Sequence, residues 1–289
     1  MKKVDNLYHF IPKIDSLKSI LTEGFKPSYA TEKILDRQIL IPMVSFSNIL
    51  LRDAGADEII HYGNYAVGLS RDWGIKNGTN PVNYTFENGT LDKSAKDFLY
   101  NSIFVKSLKK YKEQFKKLHD SKSGPFSKNI SLSNTPEEVM KILDYLTLNY
   151  NEELFDILSD YATNIYYANW SILSLTKSYS VTDNEGNTFI AYNDREWRKV
   201  FPEIDFVFEN DPDFDKWTKN TPKPHFNEDE FRLRFNIEDL KVVMVTAEEE
   251  KPLIIDLLQK TYGQDLINKL LSTGSLAVDT SENLKKLGY

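Results

Sequence analysis

The chain has 289 residues, of which 40% are hydrophobic and 13% aromatic, enough to bury a substantial core. It contains no cysteine, which excludes a disulfide framework, a thiolate zinc site and a cysteine nucleophile, and its four histidines lack the HExxH spacing. The net charge of −7 provides no mean field that attracts nucleic acid, and no apolar run approaches the ~20 residues that cross a bilayer. We therefore expect a cytoplasmic protein without a membrane segment or a metal.

Short apolar runs separated by glycine or proline fill residues 6 to 90 and predict a mixed segment of strands and helices. The predicted strands cover 6–11, 42–48, 65–69 and 81–84. A short helix is predicted over 14–25, and a turn or a short helix over 71–78. Strands do not alternate regularly with long helices, so a doubly wound parallel sheet is not favoured. Neither of the usual glycine-rich phosphate-binding loops occurs.

Helical periodicity dominates from residue 91 to about 177 and predicts an inserted helical layer. One helix is predicted over 93–119, and Thr135 followed by Pro136 marks the start of another. Strands return after residue 178, with Glu196 at the beginning of one of them. After a linker rich in proline and acids, strands are predicted at 232–235 and 241–245, and helices at 251–262 and 265–272.

A basic run, KSLKKYKEQFKK, covers residues 106–117. Leu108, Tyr111 and Phe115 recur within it at helical spacing, which favours a solvated helix with one ordinary buried stripe. The alternative is a nucleic-acid interface, because lysines on a helix face can neutralise phosphates. The candidate phosphate contacts are Lys109, Lys110, Lys116 and Lys117.

Two features of the N-terminal strands are compatible with a ligand cleft. His9 faces the side of the first strand opposite to Tyr8 and Phe10, although a lone histidine on an apolar strand is more often a core residue. Ser45 and Ser47 put two hydroxyls on one face of the next predicted strand, a pattern that suits a ligand cleft and an ordinary strand equally.

The segment 61–84, HYGNYAVGLSRDWGIKNGTNPVNY, combines three tyrosines, a tryptophan, an arginine and four glycines. This composition suits backbone that lies close to a ligand and rings that stack on planar groups. An irregular surface loop packed by its own aromatic rings has the same composition.

The stretch FIAYNDREWRKV places Glu196 among arginines and a tryptophan. In a strand, Arg195 and Trp197 share one face and Glu196 takes the other, so an ion pair between neighbours is not its obvious purpose. We interpret Glu196 as a carboxylate that faces a cleft. Such a group suits cleavage of a glycosidic bond, where it stabilises developing positive charge and orients a ribose hydroxyl.

Several of these stretches together resemble a known family. The combination of LYHF, SILTEGFKPSY, IPMVSFSNILL, YGNYAVGLSRDWGIKNGTNPVNY and REWRKV is similar to the AbiGi family of bacterial abortive-infection (phage-resistance) proteins. That family is classed as the antitoxin partner of a two-gene system. The resemblance covers most of residues 6–90 and 188–200, and implies a role in phage defence with a cognate toxin or antitoxin as partner.

A more distant resemblance concerns mechanism. An early strand with an aromatic-histidine pair, a helix that ends at glycine, a serine-containing strand and a late strand-borne glutamate resemble ADP-ribosyltransferase-like folds, including DarT toxins that modify DNA. The resemblance implies that Glu196 is catalytic, that His9 hydrogen-bonds the ribose of NAD, and that Tyr62 or Tyr65 stacks on nicotinamide. The candidate NAD-binding set is His9, Ser45, Tyr62, Tyr65 and Arg71.

The expected architecture is a single α+β domain over residues 1–289. It comprises an ADP-ribosyltransferase-like split mixed or antiparallel sheet with a helical insertion at about 91–177. The expected function is phage defence, either as an NAD-dependent ADP-ribosyltransferase that modifies a nucleic acid or protein, or as a non-catalytic antitoxin that neutralises a toxin. Convergence of the candidate side chains in one cleft would favour the enzyme, and their dispersal would favour the binding protein.

Overall fold

A computed structural model describes most of the chain. The described residues are 5–34, 37–51, 63–86, 89–90, 94, 105, 108, 110–131, 137–182, 188–204, 206–208, 212–218, 226 and 228–287. The chain divides into two compact units, a sheet unit (1–84 with 175–289) and a helical unit (85–174). Four residues named above lie outside the described residues: Tyr62, Lys109, Thr135 and Pro136.

Thirteen strands are present in the described residues. They are β1 (Asn6–Ile11), β2 (Ser28–Ile34), β3 (Arg37–Ser47), β4 (Tyr65–Ser70), β5 (Asn80–Pro81), β6 (Asn83–Thr85), β7 (Thr176–Ser178), β8 (Ser180–Thr182), β9 (Thr188–Ile190), β10 (Glu196–Val200), β11 (Val207–Phe208), β12 (Leu240–Val245) and β13 (Ala277–Thr280). Nine of them form one sheet in the order β13-β12-β4-β1-β3-β10-β5, with β2 and β11 also paired to β3. Within this sheet β12 and β13 are parallel, and the other described pairs are antiparallel.

Ten helices are present in the described residues. They are α1 (Ile14–Glu23), α2 (Arg71–Lys76), α3 (Lys112–Asp120), α4 (Phe126–Asn129), α5 (Glu137–Leu148), α6 (Glu152–Leu173), α7 (Pro212–Thr218), α8 (Glu250–Tyr262), α9 (Gln264–Ser272) and α10 (Ser281–Leu287). The α+β class and the mostly antiparallel sheet are thus confirmed, while the ADP-ribosyltransferase-like fold stays a prediction. In the described part of the chain, every helix is too short or too polar to cross a membrane.

The main core of the sheet unit lies on one face of the sheet. Leu7 and Ile11 of β1 alternate with residues of the other face and are at most 2% exposed, as the period of two along a strand requires. Leu17 and Leu21, four positions apart on α1, are fully buried against the same cluster. The α1 helix ends at Gly24, whose φ of 87° is strained for other residues. This core fixes the position of β1, β3 and β4.

The edge of β3 that carries β1 also carries β2. Ser47 pairs with β1 on one side and with β10 on the other, while Met43 pairs with β2 and with β10. Since β10 runs along one edge of β3, β1 and β2 must both lie along the opposite edge, one after the other. The sheet therefore splits between β1 and β2, over the stretch of β3 between Met43 and Ser47.

The helical unit has its own apolar core. Phe115 of α3, Phe126 of α4 and Phe155 of α6 are at most 2% exposed. The centroid of the Phe115 ring lies 4.8 Å from that of Phe126 and 5.3 Å from that of Phe155. Leu143 of α5 is fully buried in the same cluster. At the start of α6 the Asn151 side chain accepts a hydrogen bond from the Leu154 backbone NH, which satisfies one of the unpaired amides of the first turn.

Two strand predictions differ from the structure. Residues 28–34 form β2, a strand that the sequence analysis does not predict. Conversely, the predicted strand at 232–235 is only an isolated bridge between Phe25 and Leu233. The bridge joins two distant parts of the chain, a contact that local sequence does not specify, whereas β2 pairs with β3, the strand that directly follows it.

Candidate functional site

An open cleft lies on the sheet unit where the sheet splits. Its volume is about 200 Å³. This is smaller than the roughly 300–1,000 Å³ of a typical small-molecule site. β1, β2 and β3 border it, together with residues near β7 and β10. The bordering residues are Tyr8, His9, Phe10, Ala30, Glu32, Met43, Ser45, Phe46, Ser47, Lys177, Asp194 and Glu196.

Glu196, the first residue of β10 as predicted, lies in this cleft and is only 8% exposed. Its carboxylate accepts hydrogen bonds from Arg198, at 2.6 Å from Nε to Oε1 and 3.2 Å from Nη2 to Oε2. Lys177 Nζ donates to Oε2 at 2.8 Å. Arg198 Nη2 also donates to Glu32 Oε1 at 2.8 Å. Two acids and two bases therefore form one network, which we call the charge quartet (Glu32, Lys177, Glu196 and Arg198).

The charge quartet controls the ionisation of its members. Burial would raise the pKa of Glu196, but the nearby cations Arg198 and Lys177 outweigh it and hold this pKa below its usual range. Burial would likewise lower the pKa of Lys177, but Glu196 and Glu32 raise it on balance. Glu196 is therefore ionised and Lys177 protonated at neutral pH, and the four charges sum to zero.

The backbone around Glu196 is also held in place. Its NH donates to the Tyr84 hydroxyl at 2.9 Å, and its carbonyl accepts from the Val82 NH at 2.9 Å. The preceding residue, Arg195, is exposed and has a φ of 43°, which turns the chain sharply into β10. Glu196 is thus positioned by main-chain contacts as well as by two cations.

The His9 side chain lies on the face of the sheet opposite to Glu196. Tyr8 and Glu196 both pair with Ser47, so these three residues share a face, and His9, next to Tyr8, takes the other. The His9 ring contacts the core rings of Phe25 and Phe46, with centroids 5.2 and 5.8 Å away. Although His9 borders the cleft, its side chain does not converge with the Glu196 carboxylate.

The contacts of His9 explain why a histidine stands there. Its Nδ1 lies 2.8 Å from the Ser45 carbonyl oxygen, which can only accept a hydrogen bond. The neutral imidazole therefore carries its proton on Nδ1. Burial lowers the pKa of His9 more than this bond raises it. Because Ser45 lies in the split between β1 and β2, the imidazole substitutes for a missing strand as a hydrogen-bond donor. Of the two interpretations of His9, these contacts fit a core histidine that is hydrogen-bonded to a neighbour.

Ser45 and Ser47 do face the cleft. They pair with Arg198 and Glu196 of β10, so their side chains lie on the same face as the charge quartet. Both are partly exposed, and neither hydroxyl bonds to another described residue. The cleft thus offers two hydroxyls beside an ionised carboxylate, groups that can bind ligand hydroxyls or stabilise a nearby positive charge.

Two further candidates lie apart from the cleft-bordering residues. The Tyr65 hydroxyl donates to Glu250 Oε1 at 2.7 Å, and Glu250 in turn accepts from the Thr246 backbone NH, so Tyr65 anchors the start of α8. Arg71 is the first residue of α2, and its Nη2 lies 3.7 Å from Asp5 Oδ1. These placements do not bring Tyr65 or Arg71 to Glu196, and Tyr62 lies outside the described residues.

The second half of the basic run lies in α3, and two of its lysines form ion pairs with α6. Phe115 of α3 is fully buried, as its spacing predicts, while Lys110 and Lys117 are exposed. Lys116 Nζ lies 3.0 Å from Glu152 of α6, so its charge is already matched. Lys109 lies outside the described residues. The helix therefore offers fewer unmatched cations than its sequence suggests.

Sequence reasoning missed three members of the charge quartet. Arg198 carries a readable signal, because residues two apart on a strand share a face and Glu196 and Arg198 are such a pair. Lys177 and Glu32 carry none, since they reach Glu196 only through the fold. The described residues contain no cluster of three His, Asp or Glu that could hold a metal ion.

Comparison with known proteins gives one match. The family model described as "Putative abortive phage resistance protein AbiGi, antitoxin" matches residues 17–246, which include β3, β10 and the helical unit. No curated protein and no solved structure matches the chain. Because the match spans most of the sequence, the chain belongs to the AbiGi family of abortive phage resistance proteins described as antitoxins.

Proposed function

We propose that this protein is a non-catalytic antitoxin, which protects its host by binding and neutralising a cognate toxin. The family description supports this role. The observation that carries it is the closed charge quartet. Three hydrogen bonds from Arg198 and Lys177 already occupy the Glu196 carboxylate, and the side chains of His9, Tyr65 and Arg71 serve structural contacts elsewhere. A structural carboxylate explains this arrangement with fewer assumptions than a catalytic one.

Growth rescue tests the proposal. We expect cells that express the cognate toxin to recover when this protein is co-expressed, and to recover equally with the Ser45→Ala, Ser47→Ala double variant. The two serines are partly exposed and lack a side-chain partner among the described residues, so the variant should fold normally. Circular dichroism of both purified proteins is the control. Loss of rescue by a folded serine variant would make the cleft necessary and contradict a purely binding role.

An NAD-using ADP-ribosyltransferase is the second candidate, and one observation favours it. Glu196 stays ionised on the same face as two serine hydroxyls. From the residues that the structure describes, Oε1 receives one hydrogen bond, donated by Arg198. A carboxylate oxygen can accept a second bond, here from a ribose hydroxyl. This arrangement would also favour the positive charge that develops as nicotinamide leaves. The acceptor in that case would be a nucleic acid or a protein.

Thermal unfolding in the presence of NAD distinguishes the two candidates. For an antitoxin we expect millimolar NAD to leave the unfolding midpoint unchanged. A ligand at 100 times its dissociation constant would add about 2.7 kcal/mol to the free energy of unfolding, enough to detect. A rise that the Ser45→Ala, Ser47→Ala variant abolishes, with nicotinamide release that Glu196→Gln abolishes, would favour the enzyme instead.

A further inference from the structure

The strand β1 leaves β3 before either strand ends. Tyr8 pairs with Ser47 across β1 and β3, and continuation of this antiparallel register would pair Phe10 with Ser45. The structure describes β1 as far as Ile11 and all of β3, but the two strands do not form this second pair. A gap therefore opens between β1 and β3 at Phe10 and Ser45, which both border the cleft.

The backbone groups of Phe10 and Ser45 face each other across this gap. The Arg71 NH donates to the Asp5 carbonyl at 2.7 Å, in the register that pairs β1 with β4. Hydrogen-bonded residues alternate along a strand, so the odd-numbered residues of β1 bond β4 and Phe10 directs its NH and carbonyl toward β3. The Ser45 carbonyl points the other way, toward β1, because the His9 side chain reaches it.

The His9 imidazole occupies the place of the missing backbone donor. In a continued ladder the Phe10 NH would donate to the Ser45 carbonyl, and His9 Nδ1 donates to it instead, at 2.8 Å. The ring is held by core contacts with Phe25 and Phe46. Since it reaches the gap from the core face of the sheet, and the cleft lies on the opposite face, the imidazole forms the floor of the cleft at this point.

The other side of the gap is fixed by β2. Met43 pairs with Ser28, so β1 could gain only the pair of Phe10 with Ser45 before it met β2. That pair would bring the two strands to the usual spacing of about 4.8 Å. A closure of β1 onto β3 by one pair would therefore be enough to remove the part of the cleft that lies between them.

We propose that His9 is the spacer that holds the cleft open. Its imidazole satisfies the Ser45 carbonyl in place of the Phe10 NH, and its ring keeps β1 from closing onto β3 by one further pair. A buried carbonyl without a donor is costly, so loss of the imidazole would favour the closed pair. His9 is thus a positioning residue of the cleft. The inference is independent of the proposed function, because it concerns how the cleft is kept open and not what enters it.

Amide hydrogen exchange, followed by NMR on the full-length protein, tests the spacer. In the unaltered protein we expect the Phe10 amide, which faces the cleft, to exchange about 10-fold faster or more than the Tyr8 amide, which the ladder protects. His9→Leu keeps apolar bulk but removes the donor, so the Phe10 amide should slow by about 10-fold or more as it pairs with Ser45. His9→Asn carries an amide NH2 as many bonds from the backbone as Nδ1 and should leave the exchange unchanged.

A single thiol measures the opening of the cleft itself. The chain has no cysteine, so Ser45→Cys places the only thiol of the protein in the cleft, where a maleimide can react with it. We expect the addition of His9→Leu to slow this reaction by about 10-fold or more, and the addition of His9→Asn to leave it unchanged. Ser272→Cys, at the exposed end of α9, is the control, and its reaction should not respond to either change of His9.

Three results would overturn the proposal. A Phe10 amide as protected as that of Tyr8 in the unaltered protein would mean that the ladder is already closed, and this measurement needs no variant to fold. A His9→Leu protein that is folded by circular dichroism, with both rates unchanged, would mean that the gap does not need the imidazole. A His9→Asn protein that behaves like His9→Leu would mean that the hydrogen-bond donor is not what keeps β1 and β3 apart.

Discussion

Replacing Arg198 with methionine is expected to lower the free energy of unfolding by about 3–5 kcal/mol, the cost of leaving buried charges without a partner. Arg198 is fully buried, and its guanidinium bonds both Glu196 and Glu32. Without it, the charge quartet retains two acids and only one base in a poorly solvated site. Urea unfolding followed by circular dichroism measures the loss.

Arg195→Met is the matched control. Arg195 lies three residues away, is exposed, and forms no ion pair with a described residue, so this change should cost less than about 0.5 kcal/mol. The double variant Glu196→Gln, Arg198→Met removes one charge of each sign and should recover part of the single-variant loss. Equal effects of Arg195→Met and Arg198→Met would show that the quartet does not stabilise the fold.

The loss should also depend on pH. The pKa of Glu196 is lower in the folded protein than in the unfolded chain, where it is about 4.3. Its contribution to stability is therefore present above that value and disappears as the pH falls through the folded pKa. The difference in unfolding free energy between the unaltered protein and Arg198→Met should be largest near pH 7 and should shrink below about pH 4.

Replacing Gly63 with alanine is the second change for which we expect a large effect, about 3 kcal/mol or more. Gly63 has a φ of 118°, a conformation that costs other residues roughly 1–3 kcal/mol. An added Cβ would also overlap the backbone of Ile11 and lie 2.6 Å from the Pro12 nitrogen. Since this contact is with backbone at the end of β1, a rotamer change cannot relieve it.

Gly263→Ala separates the two causes. Gly263 has a φ of 98°, but a Cβ there would meet nothing within 4 Å. This variant should therefore show only the conformational cost, about 1 kcal/mol, in the same unfolding experiment. If Gly63→Ala is no more destabilising than Gly263→Ala, the close approach of Gly63 to β1 contributes nothing to stability.

Local pattern predicted much of the sheet unit. The apolar run of β1, the helix that ends at Gly24 and the strand that begins at Glu196 each follow from a short-range signal, and each is found where the sequence predicts it. The buried Phe115 of the basic helix also follows from its spacing. These elements are determined by residues that lie within a few positions of one another.

The candidate site was less predictable because it depends on which strands meet. Strand alternation correctly separates His9 from Tyr8, but only the pairing of Tyr8 and Glu196 with Ser47 assigns Glu196 to the opposite side from His9. Lys177 lies 19 positions from Glu196 and Glu32 lies 166 positions from Arg198, so local sequence gave no sign of either contact. Tertiary pairing, which no short motif encodes, created the charge quartet.

The parallel pairing of β12 with β13 has a consequence for solubility. The family match ends at residue 246, one position after β12, so β13 and its flanking helices lie beyond it. If β13 were absent, β12 would present a row of free amides and carbonyls beside Val242, Val243 and Met244, a surface that recruits strands from other molecules. As the outermost strand of the sheet, β13 is four residues long and includes Asp279, which makes it a poor template for aggregation.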